Sequence, residues 1–352
     1  MGRTSLVGAF GLGRQASKDT LASTITYLPA TSIGLNINQN AQTLPPEVGG
    51  DYFLRGSYKS SVMGGGDVAA VARPNSLGNF FYALAGQDTV TPVPAQSGAY
   101  SHSFTPFTPS PGVDLPLYTL IKDVAKIQNV GATAALAEQY LNAKMSSFRL
   151  DVPKSSIATV QSSWVATTPS TVTVASLGAE TMDSTPQFQT CNGTIAFIQE
   201  GGSTISANSL KVERLAFNYA NNVSQDEFSV GNYYLEDITL LQRTVTVDMD
   251  FVVRDTALYQ AVYMNAGTIP GAWSPQIYRG ALTLTLNSTV NVPTTTQPYQ
   301  LVLTFPGLDF MMLPIQLSGA DLVRATLSTQ VTLGSSGADR FAVTLVNGVA
   351  SY

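Results

Sequence analysis

Alternation of apolar and polar residues along most of the chain is the feature that most restricts its fold. A period of two places apolar side chains on one face of a β-strand, whereas an amphipathic helix requires a period near 3.6. The alternating segments include Asp51–Ser61, Thr244–Val253, Ala281–Asn287, Tyr299–Phe305 and Phe341–Leu345. The sequence therefore predicts a mainly β protein.

Two short helices are predicted among these strands. Asn75-Ser76 precedes a helical apolar stripe that ends at Gly86, and Asp255-Thr256 precedes a second stripe that ends at Gly267. Side chains of Asn, Asp, Ser and Thr cap helix starts, and glycine commonly ends helices. A weaker, alanine-rich segment at Ala132–Leu141 is a third helix candidate.

The two predicted helices belong to an internal repeat. Both end in Ala-Gly, at Gly86 and at Gly267, which lie 181 positions apart. Before the helices, Ile33–Asn40 resembles Leu215–Asn222 at an offset of 182; after them, Phe148–Ile157 resembles Leu313–Leu322 at an offset of 165. Three matches in the same order favour a duplication over two unrelated β domains.

The domain boundary is predicted in Thr181–Gly193, where Met182-Asp183-Ser184-Thr185-Pro186 interrupts the regular pattern. The predicted domains are residues 1–185 and 186–352. The first contains 11 basic and 11 acidic residues, whereas the second contains 7 and 12. The net charge of −5 therefore belongs to the second domain.

Only 12% of the 352 residues are charged, while 44% are hydrophobic. A surface made mainly of uncharged polar groups is poorly suited to an isolated soluble monomer. Such a composition favours a protein that packs against copies of itself.

Little in the sequence indicates catalysis. A single cysteine, Cys191, excludes an internal disulfide framework and a multi-thiolate zinc site. His102 is expected on the polar face of a strand, and Gly64–Gly66 is expected to form a flexible loop. Trp164 and Trp273 do not flank an acidic pair, which disfavours a carbohydrate-active enzyme. We predict no enzyme activity, metal or cofactor, no signal peptide, and no membrane span, which would need about 18 consecutive apolar residues.

Four polar residues share one face of the predicted strand Thr244–Val253. They are Thr244, Thr246, Asp248 and Asp250. The face is interpreted as solvated, or alternatively as the lining of a water-filled channel, and a calcium site is disfavoured for lack of further oxygen ligands. The asparagines of the repeated strands are interpreted as turn caps or as intersubunit hydrogen-bond ladders, with a structural role favoured; they are Asn36, Asn38, Asn218 and Asn221.

The segment Gly11–Thr20, followed by Tyr27-Leu28-Pro29, resembles the N-terminal arm of major tail tube proteins of long-tailed bacteriophages. The Asn-bearing strands and the order of long strand, short helix and further strands are also similar to that family. The resemblance implies two tandem tail-tube-like β-sandwich domains, each with a short flanking helix, that contribute strands to an inner β-barrel. Because six such domains make a ring, three chains would complete one, and the rings would stack into a tube.

The resemblance further implies a structural virion protein whose hollow tube passes genomic DNA during ejection. DNA must not adhere to the lumen, which should therefore be neutral to acidic; the polar face of Thr244–Val253 is the lumen candidate. Ring-to-ring contacts are expected from Met1–Thr24, Gln39–Gly50, Gly64–Gly66 and Ser224–Leu235. The charged candidates there are Arg3, Arg14, Lys18, Glu47, Asp226 and Glu227.

The implied partners are further copies of the chain and, in the tail, tape measure, tail terminator and baseplate or tip proteins. The implied location is the phage tail, assembled in the host cytoplasm. The alternative is another self-associating viral β-sandwich protein, namely a capsid-decoration, baseplate or adhesin module.

Overall fold

A computed structural model of the chain describes residues 8–45, 47–48, 53, 56–108, 114–124, 136–173, 180–199, 204–205, 210–254, 256–264, 271–317, 322–332 and 341–352. The elements of the first half are β1 (Phe10–Arg14), β2 (Thr26–Leu28), β3 (Ala30–Ile33), β4 (Asn36–Thr43), β5 (Ser57–Val71), α1 (Pro74–Ala85), β6 (Asp88–Pro92), β7 (Tyr100–Phe104), β8 (Tyr118–Asp123), β9 (Leu136–Pro153), β10 (Thr159–Ala166) and β11 (Thr168–Thr173).

The elements of the second half are β12 (Gly193–Gln199), β13 (Thr204–Ile205), β14 (Leu210–Ala220), β15 (Thr244–Val253), α2 (Ala257–Met264), β16 (Arg279–Asn291), β17 (Pro298–Met312), β18 (Ile315–Gln316), β19 (Arg324–Val331) and β20 (Ala342–Asn347). The predicted mainly β fold is confirmed, and β15 has the predicted bounds.

Antiparallel pairing connects the strands into two main runs. One run has the order β4–β5–β10–β9–β14–β15–β19, and it crosses from the first half to the second at the β9–β14 pair. The other has the order β12–β16–β17–β20–β7–β6 and crosses between the halves at β20–β7. Each run therefore contains one strand pair that joins the first half of the chain to the second.

A single large hydrophobic core lies between the two runs. Phe217 on β14 packs with Phe305 on β17 at a ring-centroid distance of 5.4 Å, and Phe81 of α1 lies 5.3 Å from Phe148 and 5.8 Å from Phe104. All five rings are buried. Aromatic side chains of this size contribute strongly to core stability because each removes a large apolar area from water.

Helix α1 begins one residue before the predicted cap. Arg73 has the extended N-cap conformation, and Pro74 occupies the first turn, where its missing N–H costs no helical hydrogen bond. Gly86 ends the helix as predicted, because its left-handed φ of 78° lets its N–H donate to the Tyr82 carbonyl at 2.8 Å. Helix α2 buries Leu258, Ala261 and Val262, while the predicted boundary residues Asp255 and Gly267 lie outside the described residues.

The predictions of secondary structure for Ala132–Leu141 and for Gly64–Gly66 are wrong. Ala132–Leu141 is not a helix where it is described, because Leu136 begins β9, which pairs with β8 and β11 and buries Ala137 and Tyr140. Gly64–Gly66 is not a loop but the middle of β5. A Cβ atom at Gly64 would lie 2.5 Å from the Tyr140 ring, and one at Gly66 would lie 2.2 Å from the Gly34 carbonyl oxygen. These glycines therefore permit close packing.

The long strand predicted at Asp51–Ser61 is displaced toward the C-terminus. The observed strand β5 spans Ser57–Val71, so Lys59 lies near its start. Residues 51–52 and 54–55, including Arg55, lie outside the described residues. The residues of β5 that face β10 are therefore those of its second part, Gly64–Val71.

The run from β4 to β19, which we call the central run, contains two four-stranded sets with the same order of strands. The first is β3/β4–β5–β10–β9, and the second is β14–β15–β19 followed by the end of β17 with β18. Strands β10 and β19 both contain eight residues and start 165 positions apart. Thr159 pairs with Val71, and Arg324 pairs with Val252, so both strands meet the long strand in the same register at an offset of 181.

Two β-bulges also recur at these offsets. Thr31 is the unpaired residue between Ala30 and Ser32, and Glu213 is the unpaired residue between Val212 and Arg214, 182 positions later. Ser146 is skipped where β9 pairs with β10, and Met311 is skipped where β17 pairs with β19, 165 positions later. Bulges bend a strand and increase its twist, so the two sets deform at matching positions.

Candidate functional site: the polar face of the sheet

The predicted polar residues of β15 do lie on one face. Thr244, Thr246, Asp248 and Asp250 alternate with Val245, Val247, Met249 and Phe251, which are buried in the core. The strand therefore has one face packed against the second run and one face left to solvent in the single chain.

Neighbouring strands extend this polar face across the central run. Cross-strand partners share a face: Thr246 pairs with Asn218 and Gln330, and Asn218 pairs with Arg149. The next row along the strands contains Asp151, Ala216, Asp248 and Ser328, and the row after it contains Pro153, Arg214, Asp250 and Thr326. We call the outward residues of these rows the polar face. It covers parts of both halves of the chain.

The carboxylates of β15 are held by hydrogen bonds from neighbouring strands. Asn218 donates through Nδ2 to Asp248 Oδ2 at 3.0 Å and to Thr246 Oγ1 at 3.3 Å. The Thr326 hydroxyl donates to Asp250 Oδ1 at 2.7 Å. Hydrogen bonds to an ionised acceptor are stronger than neutral ones, so these contacts fix the positions of the negative charges.

A bidentate ion pair connects the two halves on this face. Arg214 on β14 donates through Nε and Nη2 to the two oxygens of Asp151 on β9, at 2.8 and 3.1 Å. Its Nη1 also lies 3.9 Å from Asp250 Oδ2. The hydrogen bonds with Asp151 are the main cause that raises the pKa of Arg214. The positive charge is therefore matched by two carboxylates.

The bulge residue Glu213 forms a second ion cluster beside the first. Lys154 donates to its Oε1, and Arg324 donates through Nε to its Oε2 at 3.0 Å. These hydrogen bonds, that of Lys154 first, lower the pKa of Glu213. Two further cations at this end of the sheet are thus paired with a carboxylate. Arg149, which also lies on the polar face, forms no ion pair with any of the described residues.

An open depression of about 310 Å³ lies on the polar face, lined by Arg149, Gln161, Asn218 and Thr246 among others. Within the described residues, no group of three His, Cys, Asp or Glu side chains could hold a metal ion.

Comparison with protein families decides what kind of molecule carries this surface. The family described as phage tail tube protein matches residues 6–331, which includes most of both halves. The chain belongs to the phage tail tube protein family. A comparison with curated proteins finds no match. Among the described residues of this tail tube protein, no helix is long and apolar enough to cross a membrane.

The charged residues predicted for ring stacking do not form one cluster in the tail tube protein. Lys18 donates to the Glu236 carbonyl at 2.6 Å, which places it beside the loop that contains Asp226 and Glu227. Asp226 accepts a hydrogen bond from Ser224 at 2.6 Å. Arg14 instead lies over the Tyr82 ring, 4.8 Å from its centroid. Glu47 is exposed, and Arg3 lies outside the described residues.

The predicted N-terminal arm is partly a component of the folded body. Strand β1 pairs with β2 and β8, and Phe10 and Leu12 are completely buried. Removal of Met1–Thr24 would therefore take away core residues as well as any contact surface. Residues 1–7 lie outside the described residues.

The prediction of His102 on a polar strand face is wrong. Its side chain is completely buried; Nδ1 lies 2.9 Å from Asp88 Oδ2 and Nε2 lies 2.8 Å from the Val349 carbonyl. The tail tube protein uses this residue to connect β7 with β6 and the C-terminal segment. Cys191 is exposed in a short 3-10 turn and is a free thiol.

Asp151 and Arg214 are not among the site residues that the sequence predicts. A signal for their surroundings exists, because Glu213-Arg214 places two adjacent polar residues between Val212 and Leu215 in an alternating strand. Such a doubled polar pair marks a bulge. Two of the predicted asparagines hold the backbone within the chain: Asn221 is buried and donates to the Met145 carbonyl at 3.0 Å, and Asn36 donates to the Gly34 carbonyl at 3.0 Å.

Proposed function

We propose that this tail tube protein polymerises into stacked rings that form the hollow tube of a phage tail, through which genomic DNA passes during ejection. Assembly in the host cytoplasm and contacts with tape measure, terminator and baseplate or tip proteins are part of the proposal. The observation that carries it is the continuous polar face, which runs over both halves of the chain on the side of the sheet opposite the core.

The polar face is proposed as the lumen surface, with Thr244, Thr246, Asp248 and Asp250 at its centre. DNA is bound mainly through cations that neutralise its phosphates. On this face, Arg214 and Arg324 are already engaged by carboxylates, so a passing phosphate would have to compete with them. Arg149 is the cation of the face that has no such partner among the described residues. The equivalent strand of the first half places Asp67 opposite Ser163 on the same face. A lumen of this kind is neutral to acidic and does not retain DNA.

The chain is further proposed to be a duplication, with a first domain at residues 1–185 and a second at 186–352. The matched strand order, registers and bulges of the two four-stranded sets support it. If six sets close a ring, three chains complete it with pseudo-six-fold symmetry. Closure would leave no sheet edge available for uncontrolled pairing.

Electron microscopy of the purified full chain tests the proposed function. Concentrated protein should form hollow tubes or stacked rings. Discrete monomers at every concentration and salt condition would contradict polymerisation and would favour another kind of viral β-sandwich protein.

A further inference from the structure

The central run of strands ends in two edges that have no further neighbouring strand among the described residues. At one end, β3 and β4 pair only with β5 among the described residues. At the other end, β18 pairs only with β19 within the described part of the chain. An exposed edge presents unpaired N–H and C=O groups and is a template for another strand.

The β9–β14 pair shows how two such edges join. In this pair, Ser147–Pro153 lies antiparallel to Arg214–Ala220. On the core side, three apolar pairs close the junction: Phe148 with Tyr219, Leu150 with Phe217, and Val152 with Leu215. This junction connects the last strand of the first four-stranded set to the first strand of the second.

The offsets of the repeat can be applied to this junction to obtain the corresponding residues at the two free edges. Strand β9 corresponds to the end of β17 and β18 at the offset of 165, and β14 corresponds to β3 and β4 at the offset of 182, as the bulges show. The three apolar pairs then become Leu313 with Ile37, Ile315 with Leu35, and Leu317 with Ile33. All six residues are apolar, although they lie at opposite ends of the run.

The polar side of the two edges also agrees with this register. Asn218 opposite Arg149 corresponds to Asn36 opposite Pro314, and Ala216 opposite Asp151 corresponds to Gly34 opposite Gln316. No charged side chain meets a like charge in these pairs. The edge residue Leu317 is 81% exposed in the single chain, which leaves a large apolar side chain in water until a partner covers it.

We propose that neighbouring chains join through antiparallel pairing of Ile33–Asn38 of one chain with Met312–Leu317 of the next, in the register that places Leu35 opposite Ile315. The inference rests on the proposed ring assembly and specifies its partner surface. Because each chain offers one edge of each kind, the contact is head to tail and can close a ring. The junction between chains then repeats the junction within each chain.

Two side chains hold parts of these edges in the single chain. Lys122 donates to the Leu35 carbonyl at 2.6 Å, and the Leu313 N–H donates to the Tyr263 hydroxyl at 3.1 Å. A carbonyl oxygen has a second lone pair, so Leu35 can accept another bond. The Leu313 N–H would transfer from Tyr263 to the Ile37 carbonyl of the neighbouring chain.

Disulfide trapping tests the register in the full chain carrying Cys191→Ser. Asn38 and Met312 would face each other as a pair without backbone hydrogen bonds, which brings Cα atoms to about 4.5 Å, within the range of a disulfide. Both side chains are exposed in the single chain, so Asn38→Cys and Met312→Cys should not disturb folding. The matched control combines Asn40→Cys with Met312→Cys, which shifts one partner by about 7 Å along the strand.

Oxidised assemblies of the Asn38→Cys, Met312→Cys variant should run as covalent trimers on a non-reducing gel. The fraction of chains that are covalently linked should be at least tenfold lower in the control. A mixture of the two single-cysteine variants should yield covalent dimers, whereas neither alone should. Tubes without this linkage would overturn the proposed register and leave the proposed function standing. Failure of the parent chain to form rings or tubes would instead contradict the proposed function, and the pairing with it.

Discussion

Phe217→Ala should destabilise both halves of the protein together. Phe217 is completely buried on β14, where it pairs with Leu150 of the first half and contacts Phe305 and Phe341 of the second at ring distances of 5.4 and 5.5 Å. Truncation of a buried phenylalanine costs about 3–5 kcal/mol, because apolar contacts are lost and a cavity remains. With a urea m-value of about 3 kcal/mol/M, the midpoint should fall by roughly 1 M or more.

Urea denaturation followed by tryptophan fluorescence measures this effect in the first half. Trp164 is buried there, while Trp273 in the second half is mostly exposed, so Trp273→Phe leaves Trp164 as the reporter. Phe228→Ala is the control, because Phe228 is partly exposed in a loop and its truncation should change stability by less than about 1 kcal/mol. An unchanged Trp164 midpoint in Phe217→Ala, with earlier loss of circular dichroism, would refute a core shared by the two halves.

Four further predictions concern single sites. Gly86→Ala should lower the free energy of unfolding by at least about 1 kcal/mol, because Gly86 has a φ of 78° and a Cβ would lie 2.6 Å from the Phe107 ring. Urea denaturation measures this loss, and an unchanged midpoint would contradict the prediction. Hydrogen bonds from Lys154 and Arg324 lower the pKa of Glu213 in the folded protein. The stability that Glu213→Gln removes should therefore be fully present above the unfolded pKa of 4.5 and should vanish as the pH falls through the lower folded pKa. Denaturation of both proteins between about pH 3 and 7 measures this difference, and a difference that grows in acid would contradict the prediction. Leu317→Lys should abolish assembly in electron microscopy while Val290→Lys, at another exposed apolar residue, should not; tubes from the first variant would contradict an apolar edge contact. Asp248→Lys should make assembled tubes retain DNA at low salt but not at high salt in a co-sedimentation assay; no retention at low salt would argue against a lumen position.

Local signals in the sequence were sufficient for much of the secondary structure. Strict alternation predicted β15 with its observed bounds, and Gly86 marked the end of α1 because only a residue that tolerates the left-handed region fits there. The resemblance to tail tube proteins was confirmed by the family match. These features depend on neighbours within a few residues, which a sequence displays directly.

Tertiary contacts explain the errors. Gly64–Gly66 has the composition of a loop, but Tyr140 and the Gly34 carbonyl approach so closely that only glycine fits in the strand. The segment Ala132–Leu141 favours a helix locally, yet from Leu136 onward its pairing with β8 and β11 determines a strand. The ion pair between Asp151 and Arg214 joins residues 63 positions apart, and no local pattern predicts which strands meet.

The symmetry of an assembled ring is the sharpest test of the proposed tube. Electron cryo-microscopy of tubes from the full chain should show rings of three chains, in which six four-stranded sets surround the lumen and Asp248 and Asp250 face it. The strand junctions within and between chains should alternate around the ring in the same register. Six chains per ring, or a lumen lined by another face of the sheet, would contradict the account.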